Sequence, residues 1–201
     1  MTITSYEALR KPPAAEAPLV FTFHGTGGNE FQFTKLVEQI IPDAGIVSPR
    51  GDVSEFGALR FFRRKGEGVY DMDDLALRTE KMAGFIAAHK AKHPERLIYG
   101  LGYSNGANIL AAVLFKHPEL FDQAVLMHPL IPWTPVPQAG LKGKPILITA
   151  GERDPICPLP LTQELAAYFR QQGADVELSP HSGGHEIRQN ELQDLQTFLT
   201  R

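Results

Sequence analysis

The sequence predicts an α/β fold, a three-layer sandwich with a mostly parallel central sheet, and three observations predict it. Short apolar runs alternate with amphipathic segments along the chain, the order expected when helices cross over between neighbouring strands. Most of those runs are continuously apolar, as strands covered on both faces are. The 18 glycines and 16 prolines fall between the runs, where strand–loop–helix junctions need them.

The elements follow in order. A strand over 19–24 runs into a glycine-rich turn, and a helix over 31–41 leads to a strand over 45–48. Residues 49–72 read as a long irregular stretch, a length that in compact folds accompanies function or mobility. The helix over 73–93 carries Leu75, Met82, Phe85 and Ile86 at helical spacing, which marks a core face. Strand 97–101 passes directly into helix 105–116, and strand 123–128 into the proline-rich segment 129–144. That segment is too short for a separate lid domain, so an open site is expected. Strand 145–150, helix 161–172, strand 174–179 and helix 186–200 complete the chain, with no internal repeat and no linker.

At 201 residues, 43% of them hydrophobic, the whole chain (1–201) is expected to form a single domain with a substantial core. A net charge of −3 lacks the basic excess of a nucleic-acid partner. The one cysteine, Cys157, has no intramolecular partner, and neither a signal-peptide core nor a membrane span is evident, so a cytoplasmic location is expected.

The chemistry enters at Gly102-x-Ser104-x-Gly106, placed directly after a strand and directly before a helix. A serine lifted on so sharp a turn needs glycines two residues to either side, because side chains there collide with the neighbouring strand and helix. Ser104 as a simple helix cap is the rival reading. Asp154 follows strand 145–150, and His185 opens the last helix, so both fall on loops at the strand ends where Ser104 emerges. His185 is expected as the general base and Asp154 as the acid that orients it. Glu152 is the rival acid; Pro155 favours Asp154 by stiffening its turn. His128 also ends a strand and is read as lining the pocket or supporting the site, while His89, His93 and His117 are expected to face solvent.

The glycine turn after strand 19–24 reads His24-Gly25-Thr26-Gly27-Gly28. The backbone N–H of Thr26 and that of Asn105 are the expected pair of oxyanion donors. No phosphate-cradling glycine pattern is present, His24 has no second ligand at metal spacing, and no metal or cofactor is expected. Phe61, Phe62 and Trp133 are candidate walls of a substrate pocket, with Arg60, Arg63 and Arg64 nearby; packing onto the core is the competing reading.

With H-G-T-G-G, G-Y-S-N-G, G-E-R-D-P and G-G-H-E in this order, the chain resembles the phospholipase/carboxylesterase family, which has the α/β-hydrolase fold and includes acyl-protein thioesterases and small bacterial carboxylesterases. It is most similar to bacterial hydrolases associated with hydroquinone and catechol stress, through Ser48-Pro-Arg-Gly51, Arg60-Phe-Phe-Arg-Arg64 and Gly102–Ala107. The resemblance implies a serine esterase acting on small acyl esters or thioesters, and a homodimer. Dienelactone hydrolases are also similar in fold but look for a cysteine nucleophile, whereas this elbow holds Ser104 and Cys157 lies elsewhere. Two other functions stand beside hydrolysis: C–C bond cleavage or perhydrolysis at the same site, or a catalytically silent binding protein.

Overall fold

The computed structural model describes residues 2–201. A seven-stranded sheet forms its centre, in the order β1-β3-β2-β8-β9-β10-β11. Its strands are β1 (Ala8–Lys11), β2 (Leu19–Phe23), β3 (Gly45–Pro49), β8 (Ile98–Tyr103), β9 (Gln123–Met127), β10 (Pro145–Gly151) and β11 (Asp175–His181). Every pairing is parallel except β1 with β3. The antiparallel edge strand β1 was not foreseen, because its four residues, ALRK, carry no apolar pattern.

Five helices cover the sheet: α1 (Thr34–Ile40), α2 (Met72–Lys90), α3 (Asn105–Lys116), α4 (Leu159–Gln171) and α5 (Gln189–Leu199). The core divides into two clusters, as a layered sheet demands. One gathers Phe21, Phe23, Phe85, Ile86 and most of α3. The other joins Val20, Ile46 and Leu101 to Val37 of α1 and Leu195 and Phe198 of α5. Alternate residues of β2 thus point to opposite faces, and a continuously apolar strand is what both layers require. No described helix is long and apolar enough to cross a membrane.

Residues 49–72 are more ordered than an irregular loop. They form two hairpins, β4 (Val53–Glu55) with β5 (Ala58–Arg60), and β6 (Arg64–Gly66) with β7 (Val69–Tyr70). Strands of two or three residues leave no periodic signal. The tip of the first hairpin holds Phe56 at φ 51° and Gly57 at φ 88°, which closes a two-residue turn.

Candidate active site

The chain emerges from β8 through Ser104, which has φ 52° and ψ −119° and makes no side-chain cap to α3. The side chain therefore does not cap α3. Such backbone strain persists only where the surroundings impose it. A Cβ at Gly102 would lie 2.6 Å from the carbonyl oxygen of Gly106, and one at Gly106 would fall on the carbonyl of Phe23. Both glycines are required by close backbone approach.

The structure brings Ser104, His185 and Asp154 together. His185 Nε2 lies 2.9 Å from Ser104 Oγ, and His185 Nδ1 lies 2.7 Å from Asp154 Oδ2. The other oxygen of Asp154 accepts from the backbone N–H of Ile156 and Cys157, at 2.8 and 2.9 Å. Burial opposes ionisation of this carboxyl, but those amides and the two neighbouring histidines outweigh it and hold its pKa below the ordinary value. Asp154 is 5% exposed, whereas the rival Glu152 is exposed. Tyr103 fixes the histidine loop by donating from its hydroxyl to the carbonyl of His185 at 2.6 Å.

Behind Asp154 lies a network in which His128 supports the site, as expected, while its partners Glu191 and His181 were not foreseen. His128, fully buried at φ 50°, presents Nδ1 to Asp154 Oδ2 at 3.0 Å and Nε2 to Glu191 Oε1 at 2.9 Å. Both ring nitrogens face carboxylates, so both must donate, and the ring is an imidazolium. Burial pulls its pKa down, but the hydrogen bonds and charges of Glu191 and Asp154 raise it above the usual histidine value. Glu191 Oε2 takes His181 Nε2 at 3.0 Å and the N–H of Arg188 at 2.7 Å. The signal for this network was a charge on an apolar stripe: Glu191 stands one and two turns before Leu195 and Phe198, with all three buried.

His128, His181 and Glu191, and likewise His128, Asp154 and His185, bring three potential metal ligands within reach of one another. The tautomers argue for hydrogen bonding instead. His181 Nδ1 accepts the N–H of Gly183 at 3.0 Å, so Nε2 carries the proton and has no lone pair for a metal. His128 has neither nitrogen free.

On the opposite side, the glycine turn after β2 is clamped from below. Gly51 N–H donates to His24 Nε2 at 2.9 Å, which leaves His24 Nδ1 to donate to the carbonyl of Gly25 at 2.7 Å. Arg50 forks onto the buried carboxylate of Glu30 at 2.5 and 2.6 Å. Ser48-Pro-Arg-Gly51 thus holds the turn that presents Thr26. Asn105 heads α3, where first-turn N–H groups have no partner in their own helix. Its side-chain oxygen accepts from Phe61 N–H at 2.8 Å, which anchors the hairpin region to the elbow.

Thr26, Asn105, Ser104 and His185 line one cleft of about 300 Å³, together with Tyr70 and Leu130. Phe61 and Phe62, expected as pocket walls, do not line it. Both are fully buried, Phe61 against Phe23 and His24 and Phe62 against Tyr70. Trp133 borders a different groove, against Phe115 and Tyr70. Core packing claims both phenylalanines, because apolar surface of that size gains most where it is sealed from water; Trp133 stays half-buried against the core's edge. His89, expected to face solvent, is 5% exposed between Phe21 and Phe85. Cys157 lies in the cleft wall beside Asp154, where burial and that carboxylate push its thiol pKa far up and keep it un-ionised.

The profile of the Dienelactone hydrolase family matches residues 7–191. The chain is 38% identical over 182 residues to MhqD of Bacillus subtilis, a protein that carries the name of a hydrolase, covering 90% of this chain and 91% of that one. Among solved structures, the protein Atu2452 of Agrobacterium tumefaciens is 52% identical, with a TM-score of 0.92 over 100% of this chain and 98% of its own. The Bacillus cereus carboxylesterase is 33% identical, with a TM-score of 0.92 over 97% of this chain and 93% of its own. The fold is that of the α/β-hydrolase esterases, and the matches support a hydrolase.

Proposed function

The chain belongs to the dienelactone hydrolase family, and on that premise we propose that it is a serine carboxylesterase that cleaves small acyl esters or thioesters through an acyl-serine intermediate. The observation that carries this reading is the unbroken hydrogen-bond chain from Ser104 Oγ through His185 to Asp154, on a serine held at φ 52°. The elbow holds serine, as expected from its sequence, where dienelactone hydrolases look for a cysteine, and Cys157 is buried beside Asp154 without the environment of a thiolate.

Each step follows from that arrangement. His185 Nε2 takes the proton of Ser104 as its oxygen attacks the ester carbonyl. The tetrahedral oxyanion is met by the N–H groups of Thr26 and Asn105. Asp154 holds the resulting imidazolium, which returns its proton to the departing alkoxide or thiolate. Water, deprotonated by the same imidazole, then releases the acid from Ser104. The cleft of about 300 Å³ favours a small substrate, and likeness to the Bacillus cereus carboxylesterase favours an ester.

Turnover of short p-nitrophenyl esters of graded acyl length tests the reaction class. Ser104→Ala is expected to lower kcat by roughly three or more orders of magnitude and to abolish labelling by a fluorophosphonate probe. Near-normal turnover by folded Ser104→Ala protein would overturn the assignment.

A further inference from the structure

The loop that carries His185 joins the end of β11 to the start of α5, and it contains the adjacent pair Gly183 and Gly184. Such a segment has little stiffness of its own. Its near end is tied to β10, where the N–H of Glu152 donates to the carbonyl of His181 at 2.8 Å and that of Arg153 to the carbonyl of Gly183 at 2.9 Å. The imidazole needs closer control than that, because misplacing a reacting group by about 1 Å costs about a hundredfold in rate.

One carboxylate reaches both ends of this loop and the acid as well. Glu191 Oε2 accepts from Nε2 of His181, the last residue of β11, at 3.0 Å, and from the N–H of Arg188, just before α5, at 2.7 Å. His181 Nδ1 in turn takes the N–H of Gly183 at 3.0 Å. The other oxygen, Oε1, takes His128 Nε2 at 2.9 Å, and His128 Nδ1 meets Asp154 Oδ2 at 3.0 Å. Glu191 and His128 are fully buried and His181 nearly so, which leaves water no room to replace these partners. Burial opposes the charge on Glu191, but its bonds to His128 and to the Arg188 amide hold its pKa below the ordinary carboxyl value. His128 also keeps φ 50°, a conformation that non-glycine residues rarely adopt. A buried ion pair adds little stability over well-packed apolar side chains, so stability does not account for the arrangement.

We propose that Glu191 is the positioning residue of the triad: its single carboxylate sets the two ends of the His185 loop and, through His128, the oxygen of Asp154 that His185 uses. Glu191 is not among the residues that line the cleft, so it acts only through these neighbours. Loss of the clamp therefore falls on the chemical step and leaves substrate binding alone.

The inference rests on the esterase reading, and its test separates the two. Glu191→Ala removes every acceptor of the clamp. In the folded variant, kcat on a short p-nitrophenyl ester should fall about tenfold or more, with KM within about twofold of wild type. Fluorophosphonate labelling of Ser104 should slow in parallel. Glu191→Gln is the conservative rescue: its amide oxygen can accept from His181 and Arg188 while its NH2 donates to a neutral His128, so kcat should stay within about threefold of wild type. His181→Leu severs the near end alone and should give a smaller loss of kcat; it carries the test if Glu191→Ala does not fold. Val37→Ala, in α1 and outside the network, supplies a destabilised control whose kcat should not change. Amide hydrogen exchange reads the clamp without turnover. The amides of Gly183 and Arg188 should exchange about tenfold faster or more in Glu191→Ala, and at the wild-type rate relative to global unfolding in Val37→Ala. Wild-type kcat in folded Glu191→Ala or His181→Leu, a loss confined to KM, equal losses in Glu191→Ala and Glu191→Gln, or unchanged exchange would each overturn the clamp. Absence of ester turnover and of Ser104 labelling in wild type would strike the esterase reading instead, and the exchange rates would still judge the clamp.

Discussion

At the scale of single residues, the site depends on how one carboxylate oxygen is shared. Asp154 Oδ2 accepts from His185 at 2.7 Å and from His128 at 3.0 Å. His128 is charged, so the proton that His185 takes from Ser104 arrives 5.2 Å, ring centre to ring centre, from a second cation. That cation shares Asp154 Oδ2 with His185, and Glu191, on the far side of His128, offsets part of its charge. His181, Cys157 and Tyr103 are the remaining titratable groups around it, and none carries a compensating negative charge in this arrangement. His128→Asn retains a donor toward Asp154 but removes the charge. Because Glu191 is left buried without its partner, the variant should be less stable, and its urea midpoint should fall. Adding Glu191→Gln removes that stranded charge, and the double variant should recover stability. A urea midpoint in His128→Asn equal to that of wild type would refute the charged role.

At the scale of elements, the strand–elbow–helix unit was legible because its constraints are local. Gly102, Ser104 and Gly106 lie within five residues, and each glycine answers a single close approach. The parallel order was legible as well, since burial on both faces writes continuous apolar runs. What stayed hidden depends on distant pairing. Nothing near Glu191 in sequence announces His128 or His181, which reach it from β9 and β11. The hairpins of residues 53–70 are too short for any period, and Phe61 and Phe62 gave no sign of which side of the loop faces the core. Asn105 was read for its N–H alone, yet its side chain also ties Phe61 to the elbow. The elbow itself gives a sharp prediction. Gly106→Ala drives a methyl group into the carbonyl of Phe23, a backbone atom that cannot step aside. Overpacking of this kind costs about 1–3 kcal/mol, and here it also pushes α3 away from the end of β2. The urea midpoint should fall accordingly, and fluorophosphonate labelling of Ser104 should slow in the protein that remains folded. Unchanged stability and labelling would show that the junction has slack.

At the scale of the whole molecule, buried histidines set the limits of stability against pH from opposite sides. His89 sits between Phe21 and Phe85 with Nε2 unpartnered, and burial, aided by Arg10, lowers its pKa from 6.5 to about 4. A histidine depressed in the folded state binds its proton more readily when unfolded, so stability is lost as the pH falls from about 6.5 toward 4. His24, lowered chiefly by burial, acts in the same direction. His128 acts in the opposite one: its folded pKa is raised, so its contribution is complete below about 6.5 and is lost as the pH rises through the folded value. Asp154 and Glu191, both lowered, withdraw their contribution only below the ordinary carboxyl range. Glu30, Glu80, Glu177 and Glu186 are lowered as well, so the interval from pH 6.5 to about 5.5 is the one in which His89 and His24 act without the carboxylates. Across it, wild-type stability should decline by on the order of 1 kcal/mol per unit for each fully buried histidine. His89→Leu replaces an unpaired ring nitrogen with apolar surface among phenylalanines, so it should flatten much of that decline. Melting temperatures of wild type and His89→Leu, measured at half-unit steps from pH 7 to 4.5, give the comparison. Parallel curves would mean that His89 takes up its proton without leaving the core, and that the acid limit is set elsewhere in the molecule.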